Sequence, residues 1–274
     1  MSENPRLQGW ALILGASSGF GGATALELAR SGMDVFGIHL DRAQTLPNVQ
    51  QVVADIEATG RRAVFFNVNA ADDAKRGQVL DQIRETAGDQ APVKLVLHSL
   101  AFGTLRPYIA LDSDRTTLSD PKEALSRAQM EMTLDVMAHS LVYWVQDLVH
   151  GGLMGSGATV WAMTSGGDTR VIPTYGAVSA AKACLDSHVR QLAVELAPLG
   201  VRVNAIRAGV TDTPALRKIP VHAELMDQAT RRNPSGRMTT PVDVASAIAV
   251  LAQPGAAWMT GNVINVDGGE EVVA

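Results

Sequence analysis

The chain has 274 residues and a net charge of −5 at neutral pH, and 46% of its residues are hydrophobic. These values fit a globular protein, and the mildly acidic balance gives no electrostatic footprint for nucleic acid. The single cysteine excludes an internal disulfide framework, and no run of about 20 apolar residues predicts a membrane span. Residues 1–8 are polar and lack a secretion-signal pattern, so we expect a cytoplasmic location. From the charge and the missing apolar run, we expect neither a nucleic-acid partner nor a membrane.

Apolar runs alternate along the chain with stretches of helical periodicity, which predicts βαβ units around a parallel sheet. Buried parallel strands are nearly continuous in apolar residues, and seven runs have this character: 10–14, 35–40, 63–68, 93–98, 159–164, 201–206 and 262–266. Residues 23–31 are predicted as the first helix. No linker divides the chain, so we predict a single Rossmann-type α/β domain with a doubly wound parallel sheet over residues 1–274.

A glycine-rich loop lies between the first predicted strand and the first predicted helix. Gly15, Gly19 and Gly21 have the spacing G-x-x-x-G-x-G. Glycines allow a tight turn and a close approach to a pyrophosphate, whose charge a helix N-terminus stabilises. We therefore expect a dinucleotide at this loop, with contacts from Gly15, Ser17, Ser18, Gly19, Phe20 and Gly21.

Motifs in a fixed order then give the chain a resemblance to the short-chain dehydrogenases/reductases. After the glycine loop come Val203-Asn204-Ala205-Ile206-Arg207-Ala208-Gly209 and Asn265-Val266-Asp267-Gly268-Gly269, with alanine at position 208 where the family usually has proline. The resemblance covers nearly the whole chain and implies a nicotinamide cofactor and a homotetramer packed through long helices. It also implies cofactor contacts from Asn67, Val68, Ser99, Leu100, Ala101, Gly209, Val210 and Thr213. Asn67 has a second interpretation, as a strand-end residue that caps a turn.

The end of the second predicted strand bears on the choice of cofactor. His39 stands where NAD-binding members of the family carry aspartate, and Asp41 and Arg42 follow it. Arg42 is suited to pair with a 2′-phosphate, whereas Asp41 is suited to a ribose hydroxyl. This arrangement favours NADP(H), with NAD(H) as the alternative, and a solvated Asp-Arg turn is the non-functional interpretation.

The catalytic residues that the resemblance implies are displaced from their usual spacing. Most family members have Tyr-x-x-x-Lys, which would place the tyrosine at Val178 in this chain. Tyr175 lies one turn earlier, which gives Tyr-x6-Lys with Lys182. The two side chains share one helix face but are offset by about 10 Å along the axis, so direct contact is not expected.

This displacement supports a hypothesis about the substrate. When a ketone is reduced, negative charge collects on the oxygen bonded to the carbon that receives hydride. When an α,β-unsaturated thioester is reduced, charge collects on the thioester oxygen, three bonds from the hydride acceptor. One turn moves a donor by about 5 Å, so Tyr175 is suited to stabilise the enolate while Lys182 holds the nicotinamide ribose.

Further motifs resemble the enoyl-acyl-carrier-protein reductases within this family. They are His98-Ser99-Leu100-Ala101-Phe102-Gly103, Thr164-Ser165, Arg170-x-x-Pro173-x-Tyr175 and Asn233-Pro234-Ser235-Gly236-Arg237-Met238. We therefore predict NAD(P)H-dependent reduction of an enoyl thioester carried by acyl-carrier protein or coenzyme A. His98 is interpreted either as a core histidine or as part of the active-site lining.

Two other functions stay open. Ser165 matches the serine that orients carbonyl substrates, and with Tyr175 as general acid this is compatible with a ketone or aldehyde reductase. The alternative is that Ser165 simply ends the fifth strand. Asp135, where ketone reductases often carry a relay asparagine, weakens that interpretation. The other open function is that of a catalytically silent dinucleotide sensor, because Val178 replaces the usual acid.

The remaining expectations concern the substrate side and metals. Residues 210–235 resemble the family's mobile substrate lid, and the polar segment 107–125 is either part of the substrate side or a surface insertion. No His, Cys, Asp or Glu cluster has metal-ligand spacing, so we expect no metal. Cys184 is expected to be a small core residue.

Overall fold

The computed structural model of the chain describes residues 7–88 and 90–273, so most of the polar start that bears on the expected location lies outside the described residues. Seven parallel strands form one sheet in the order β3-β2-β1-β4-β5-β6-β7. The strands are β1 Trp10–Leu14, β2 Asp34–His39, β3 Ala63–Asn67, β4 Val93–His98, β5 Thr159–Thr164, β6 Arg202–Ala208 and β7 Val263–Val266. The predicted Rossmann-type α/β fold class is confirmed.

Helices cover both faces of this sheet. Their bounds are α1 Gly19–Arg30, α2 Leu46–Glu57, α3 Asp73–Ala87, α4 Arg127–Leu134, α5 Ser140–His150, α6 Gly176–Leu196, α7 His222–Arg232 and α8 Pro241–Leu251. A five-residue π-helical segment, Asp135–His139, joins α4 to α5. Within the described residues, no helix has both the length and the apolar character that crossing a membrane requires.

Successive side chains of β1 enter two different cores, because neighbouring residues of a strand point to opposite faces of the sheet. Leu12 and Leu14 pack with residues of α3, α5 and α6, such as Trp144. Ile13 packs on the other face with residues of α1, α2 and α8, such as Leu28. A strand buried on both faces must be apolar throughout, which explains why its bounds could be predicted from the sequence.

The strand order reverses direction between β1 and β4. From β1 the chain proceeds outward through β2 and β3, then returns to place β4 on the other side of β1. Adjacent connections therefore leave to opposite faces, and a crevice opens at the carboxyl ends of β1 and β4. The glycine-rich loop after β1 and the segment after β4 both lie at this crevice.

Candidate active site

The glycine-rich loop packs closely against the chain that leaves β4. A Cβ atom added to Gly15 would lie 2.5 Å from the carbonyl oxygen of Ser99, and one added to Gly21 would lie 2.0 Å from the carbonyl oxygen of Gly15. Gly15 also has φ +93°, a conformation that side-chain-bearing residues rarely adopt. The amide of Ser99 donates to Leu14 over 2.8 Å and fixes the two segments together. Two of the three glycines are thus required by the fold itself.

The third glycine, Gly19, begins α1 and faces the segment after β6. Its φ is +55°, and a Cβ atom there would lie 3.6 Å from the methyl carbon of Thr213. Ser18 precedes it as the N-cap, makes no side-chain capping bond, and the first turn of α1 has no acidic residue. The positive end of this helix therefore faces the crevice with no acidic side chain in its own first turn, which fits a pyrophosphate.

The side chains at the end of β2 bond to one another. Nδ1 of the buried His39 lies 3.1 Å from a carboxylate oxygen of Asp41, and burial lowers the pKa of His39 although Asp41 opposes this. The Asn67 side chain accepts from the Asp41 amide over 3.0 Å and donates to its carbonyl over 2.9 Å. Asn67 thus caps the turn at Asp41, which is the turn-capping role that the sequence analysis gave as its second interpretation. Arg42 is exposed, and no ion pair to it occurs within residues 7–88 and 90–273.

Tyr175 is the N-cap residue of α6 and reaches back to the end of β5. Its hydroxyl oxygen lies 3.5 Å from Oγ of Ser165, and Gly167 leaves room for the ring, since a Cβ there would lie 2.6 Å from Cε1. Burial raises the pKa of Tyr175, so the phenol stays protonated at neutral pH and can donate a hydrogen bond. Thr174, just before it, has φ +64°, a strained conformation for a β-branched residue.

Val178 does not take over the role of the missing acid. It is buried with 5% of its surface exposed, and it packs against Gly103, where an added Cβ would lie 2.6 Å from its methyl carbon. The position that carries tyrosine in most family members is thus part of the core. The phenol beside the end of β5 is therefore supplied by Tyr175 and not by a residue at position 178.

Lys182 lies on the same face of α6 as Tyr175 and is 5% exposed. Its ammonium group donates to the Met163 carbonyl oxygen over 2.6 Å, and within the described residues it makes no bond to Tyr175. Burial lowers the pKa of Lys182 to about 8, and the nearby carboxylate of Asp186 opposes that shift. The ammonium group is therefore anchored on β5 two residues before Ser165.

Two buried aspartates, Asp168 and Asp186, lie on either side of one arginine, Arg207, and the sequence analysis missed this cluster. Asp168 forms an ion pair with Arg207, and Arg207 also lies 3.9 Å from Asp186. Burial and the neighbouring Asp168 raise the pKa of Asp186 to about 6. Arg207 was visible only as part of the family-like stretch, and no spacing along the chain links it to either aspartate.

The segment after β6 is held by a second residue that the sequence analysis did not single out. The Val210 amide donates to a Glu270 carboxylate oxygen over 3.0 Å. A Cβ added to Gly209 would lie 2.4 Å from Oγ1 of Thr239 and 2.9 Å from Glu270. Glu270 is buried, and burial raises its pKa. The backbone at Gly209 and Val210 is thus packed against Thr239 and Glu270, with the Val210 amide bonded to Glu270.

His98 belongs to the core and not to the lining of the crevice. It is fully buried, and its Nε2 lies 2.9 Å from Oγ of Ser140. Burial, together with the charge of Lys182, lowers its pKa to about 3, so the ring is neutral. Of the two interpretations of His98, the structure therefore agrees with the core histidine and not with an active-site lining residue.

Exposed apolar side chains occur on the segment that follows β4 and just before Tyr175. Tyr108 packs over the start of α6, where a Cβ on Gly176 would lie 2.6 Å from its ring. The exposed members on the segment after β4 and before Tyr175 are Phe102, Tyr108, Ile109, Leu111, Leu118 and Val171. Leu111 and Leu118 pair as an antiparallel bridge, which folds part of segment 107–125 into a hairpin.

Known proteins match this chain over almost its whole length. The sequence profile of the family described as Enoyl-(Acyl carrier protein) reductase matches residues 15–271. The 1-cyclohexenylcarbonyl-CoA reductase of Streptomyces collinus is 29% identical over 96% of this chain and 87% of its own length. The cis-4-hydroxycyclohexanecarboxylate dehydrogenase of Sinomonas cyclohexanicum is 31% identical over 96% of both chains.

A solved structure agrees in fold as well as in sequence. A short-chain dehydrogenase from Burkholderia cenocepacia J2315, crystallised in complex with NADP, superposes with a TM-score of 0.79 at 28% identity, covering 97% of this chain and 99% of its own. Fold, site and comparisons together define an oxidoreductase of the short-chain dehydrogenase/reductase class. Within that class, the chain belongs to the family described as Enoyl-(Acyl carrier protein) reductase.

Proposed function

We propose that the protein uses NAD(P)H to reduce the carbon–carbon double bond of an enoyl thioester. The observation that carries the proposal is the position of Tyr175. It precedes the first turn of α6, with its hydroxyl 3.5 Å from Ser165, while the usual tyrosine position is the buried Val178. The phenol is thus displaced from the usual position by about 5 Å along the helix axis.

The reaction requires charge stabilisation at a distance from the carbon that is reduced. A bound reduced nicotinamide supplies the hydride for the β carbon of the substrate. The electron pair of the double bond then moves to the thioester oxygen. When this enolate collapses, the α carbon takes a proton from solvent water, which completes the reduction. Tyr175 donates a hydrogen bond to the thioester oxygen, and its raised pKa keeps the donor proton in place at neutral pH.

The residues around the crevice fit a nicotinamide dinucleotide. The uncapped start of α1 and the glycine loop accept the pyrophosphate, and Lys182 holds the nicotinamide ribose. At the adenosine end the Asp41 carboxylate bonds to His39, which leaves the exposed Arg42 for a 2′-phosphate. We therefore favour NADP(H) over NAD(H).

An apolar acyl group fits the approach to Tyr175. Phe102, Tyr108 and Ile109 are at least half exposed there, and such side chains bind hydrocarbon by removing it from water. The relative from Streptomyces collinus, whose name specifies a cyclohexenylcarbonyl-CoA, supports a thioester with a ring or chain of similar size. The short segment Leu216–Lys218 and helix α7 form the proposed lid over this acyl group.

The direct test is a spectrophotometric assay of the purified protein with NADPH. Crotonyl-CoA and 1-cyclohexenylcarbonyl-CoA are the enoyl substrates, and the matching saturated thioesters are the blanks. We expect oxidation of NADPH with an enoyl thioester and the saturated acyl product by mass spectrometry. Binding of NADPH without turnover on any enoyl thioester or ketone would instead support a silent dinucleotide sensor.

Carbonyl reduction is the second candidate. The Ser165–Tyr175 pair is an arrangement that orients and protonates a carbonyl oxygen, and the Sinomonas relative is named as a dehydrogenase of a ring alcohol. The same assay with 4-oxocyclohexanecarboxylate separates the two candidates. Turnover of this ketone and not of enoyl thioesters would favour the second.

A further inference from the structure

Three side chains outside the crevice converge where α6 packs against the start of α5. His139 ends the π-helical segment, while Cys184 and His188 are four residues apart on α6 and share one face. Nδ1 of His139 lies 3.0 Å from Nε2 of His188. Sγ of Cys184 lies 3.3 Å from Nε2 of His188 and 3.9 Å from Nδ1 of His139.

These separations are within a few tenths of an ångström of those in a tetrahedral metal centre. Zinc binds imidazole nitrogen at about 2.0–2.1 Å and thiolate sulfur at about 2.3 Å, so two tetrahedral ligands lie roughly 3.3–3.6 Å apart. The three observed separations, 3.0, 3.3 and 3.9 Å, bracket this range. We propose that His139, Cys184 and His188 form a binding site for Zn²⁺.

The chemistry of the donors selects the type of ion. One soft sulfur and two imidazole nitrogens favour zinc and its late transition-metal neighbours, whereas magnesium and calcium prefer oxygen ligands. Burial and the neighbouring His139 lower the pKa of His188, which keeps that ring neutral and able to ligate. Burial raises the pKa of Cys184, so zinc binding would displace the thiol proton into solvent.

The local backbone supplies a second observation. Asp135–His139 is a π-helical turn, a rare and wider form of helix that is frequently found at functional sites. A cleft of about 360 Å³ beside it is lined by Glu131, Met132, Leu134, Asp135 and His139. Of the three proposed ligands, His139 lines this cleft.

The site lies on another side of α6 from the proposed catalytic side chains. Cys184 follows Lys182 by two residues, and residues so spaced do not share a helix face, while Tyr175 lies nine residues before Cys184, about 13 Å along the helix axis. A bound ion would tie α6 to the segment before α5 at this distance. It would therefore stabilise the helix that carries Tyr175 and Lys182 without touching the reacting atoms.

The experiment uses the full chain, stripped with a chelator and then titrated with Zn²⁺ by calorimetry. We expect about one zinc ion per chain and a rise in the melting temperature, because an ion that binds only the folded state stabilises it. Co²⁺ in place of Zn²⁺ should give a near-ultraviolet sulfur-to-cobalt charge-transfer band. Absence of zinc binding would overturn the proposal and leave a histidine–histidine hydrogen bond beside a thiol.

Two variants and one control locate the site. Cys184→Ser should remove the charge-transfer band, and His188→Gln should weaken zinc binding by at least about 100-fold. His150→Gln, an exposed histidine at the end of α5, should bind both ions as the parent does. Retained NADPH binding reports that each variant is folded. Zinc affinity that survives both substitutions would place the ion elsewhere and sink the assignment.

Discussion

The ammonium group of Lys182 donates a 2.6 Å hydrogen bond to the carbonyl oxygen of Met163. Two residues further along the same chain segment, Ser165 bonds to the hydroxyl of Tyr175. The first two turns of α6 are thus attached to the end of β5 at both of the proposed catalytic residues. The β5 end, and not a contact between Tyr175 and Lys182, sets the positions of their functional groups.

Removal of the Tyr175 hydroxyl should slow enoyl reduction. Tyr175→Phe keeps the ring that packs over Gly167 but loses the donor to the thioester oxygen. We expect the turnover number to fall by about 10²- to 10³-fold, as for the loss of one oxyanion donor, with NADPH affinity nearly unchanged. Tyr143→Phe, which removes a phenol that bonds to Asp135, is the control. Equal turnover in both variants would show that Tyr175 is not the donor.

The charge of Lys182 should give opposite pH dependences of binding and stability. Its pKa of about 8 in the folded chain lies below its ordinary 10.5. Above pH 8 the folded protein loses the cation that holds the ribose, so NADPH affinity should fall by up to about tenfold per pH unit. Fluorescence titration of NADPH between pH 7 and 10 measures this effect.

The stability effect has the other sign. Between pH 8 and 10.5 the unfolded chain binds the Lys182 proton and the folded chain does not, so the free energy of unfolding rises with pH. The contribution of this group should reach about 3 kcal/mol across that window. Denaturant unfolding of the wild type and Lys182→Met isolates it, since the variant should lack this rise. Parallel curves for the two proteins would contradict the assigned pKa.

Arg42 should distinguish the two nicotinamide dinucleotides. A charge-assisted bond to the 2′-phosphate exists only with NADPH, so Arg42→Ala should weaken NADPH binding by about 10- to 100-fold and leave NADH binding nearly unchanged. Arg61→Ala is a matched control, because this exposed arginine bonds to the Gly32 carbonyl at the other end of the strands. A proportional loss of both dinucleotides would count against a 2′-phosphate contact.

The strained backbone before Tyr175 gives a test of stability. Thr174 has φ +64°, where glycine is accommodated and a residue with a Cβ atom costs about 1 kcal/mol. Thr174→Gly should therefore be more stable than Thr174→Ala by about 1 kcal/mol in urea unfolding. At Thr169, where φ is −115°, the order of glycine and alanine should reverse. The same order at both positions would exclude strain at Thr174.

Most strands of the sheet could be predicted from the sequence, because the apolar run that marks a buried strand lies within the strand itself. β1, β4 and β5 begin and end at the predicted residues, since each is a continuous apolar run buried on both faces. β6 begins one residue later and extends two residues further than predicted, to Ala208. Those extra residues, Arg207 and Ala208, pair with Asn265 and Val266 of β7, a partner that their own sequence does not reveal.

The site was harder to predict because its groups come from distant segments. Asp168 and Arg207 are 39 residues apart in the chain, and charges so far apart carry no spacing signal. His139 and His188 are 49 residues apart, so no spacing along the sequence revealed that they lie together with Cys184, and the expectation of no metal stays a prediction. Cys184 lies half-buried at the margin of the core beside them, not inside the core as expected. Only the i, i+4 pair Cys184–His188 was visible as a signal.

The pairing of β1 with two partners has a consequence for how the chain is made. Trp10 of β1 pairs with Asp34 of β2 and with Val93 of β4, so one side of β1 waits for a strand that is synthesised much later. On the ribosome, β1, β2 and β3 emerge with the unpaired backbone groups along one edge of β1 uncovered until β4 arrives. Long-range closure of this kind folds slowly, and nascent chains stalled before residue 98 should be the species that chaperones bind.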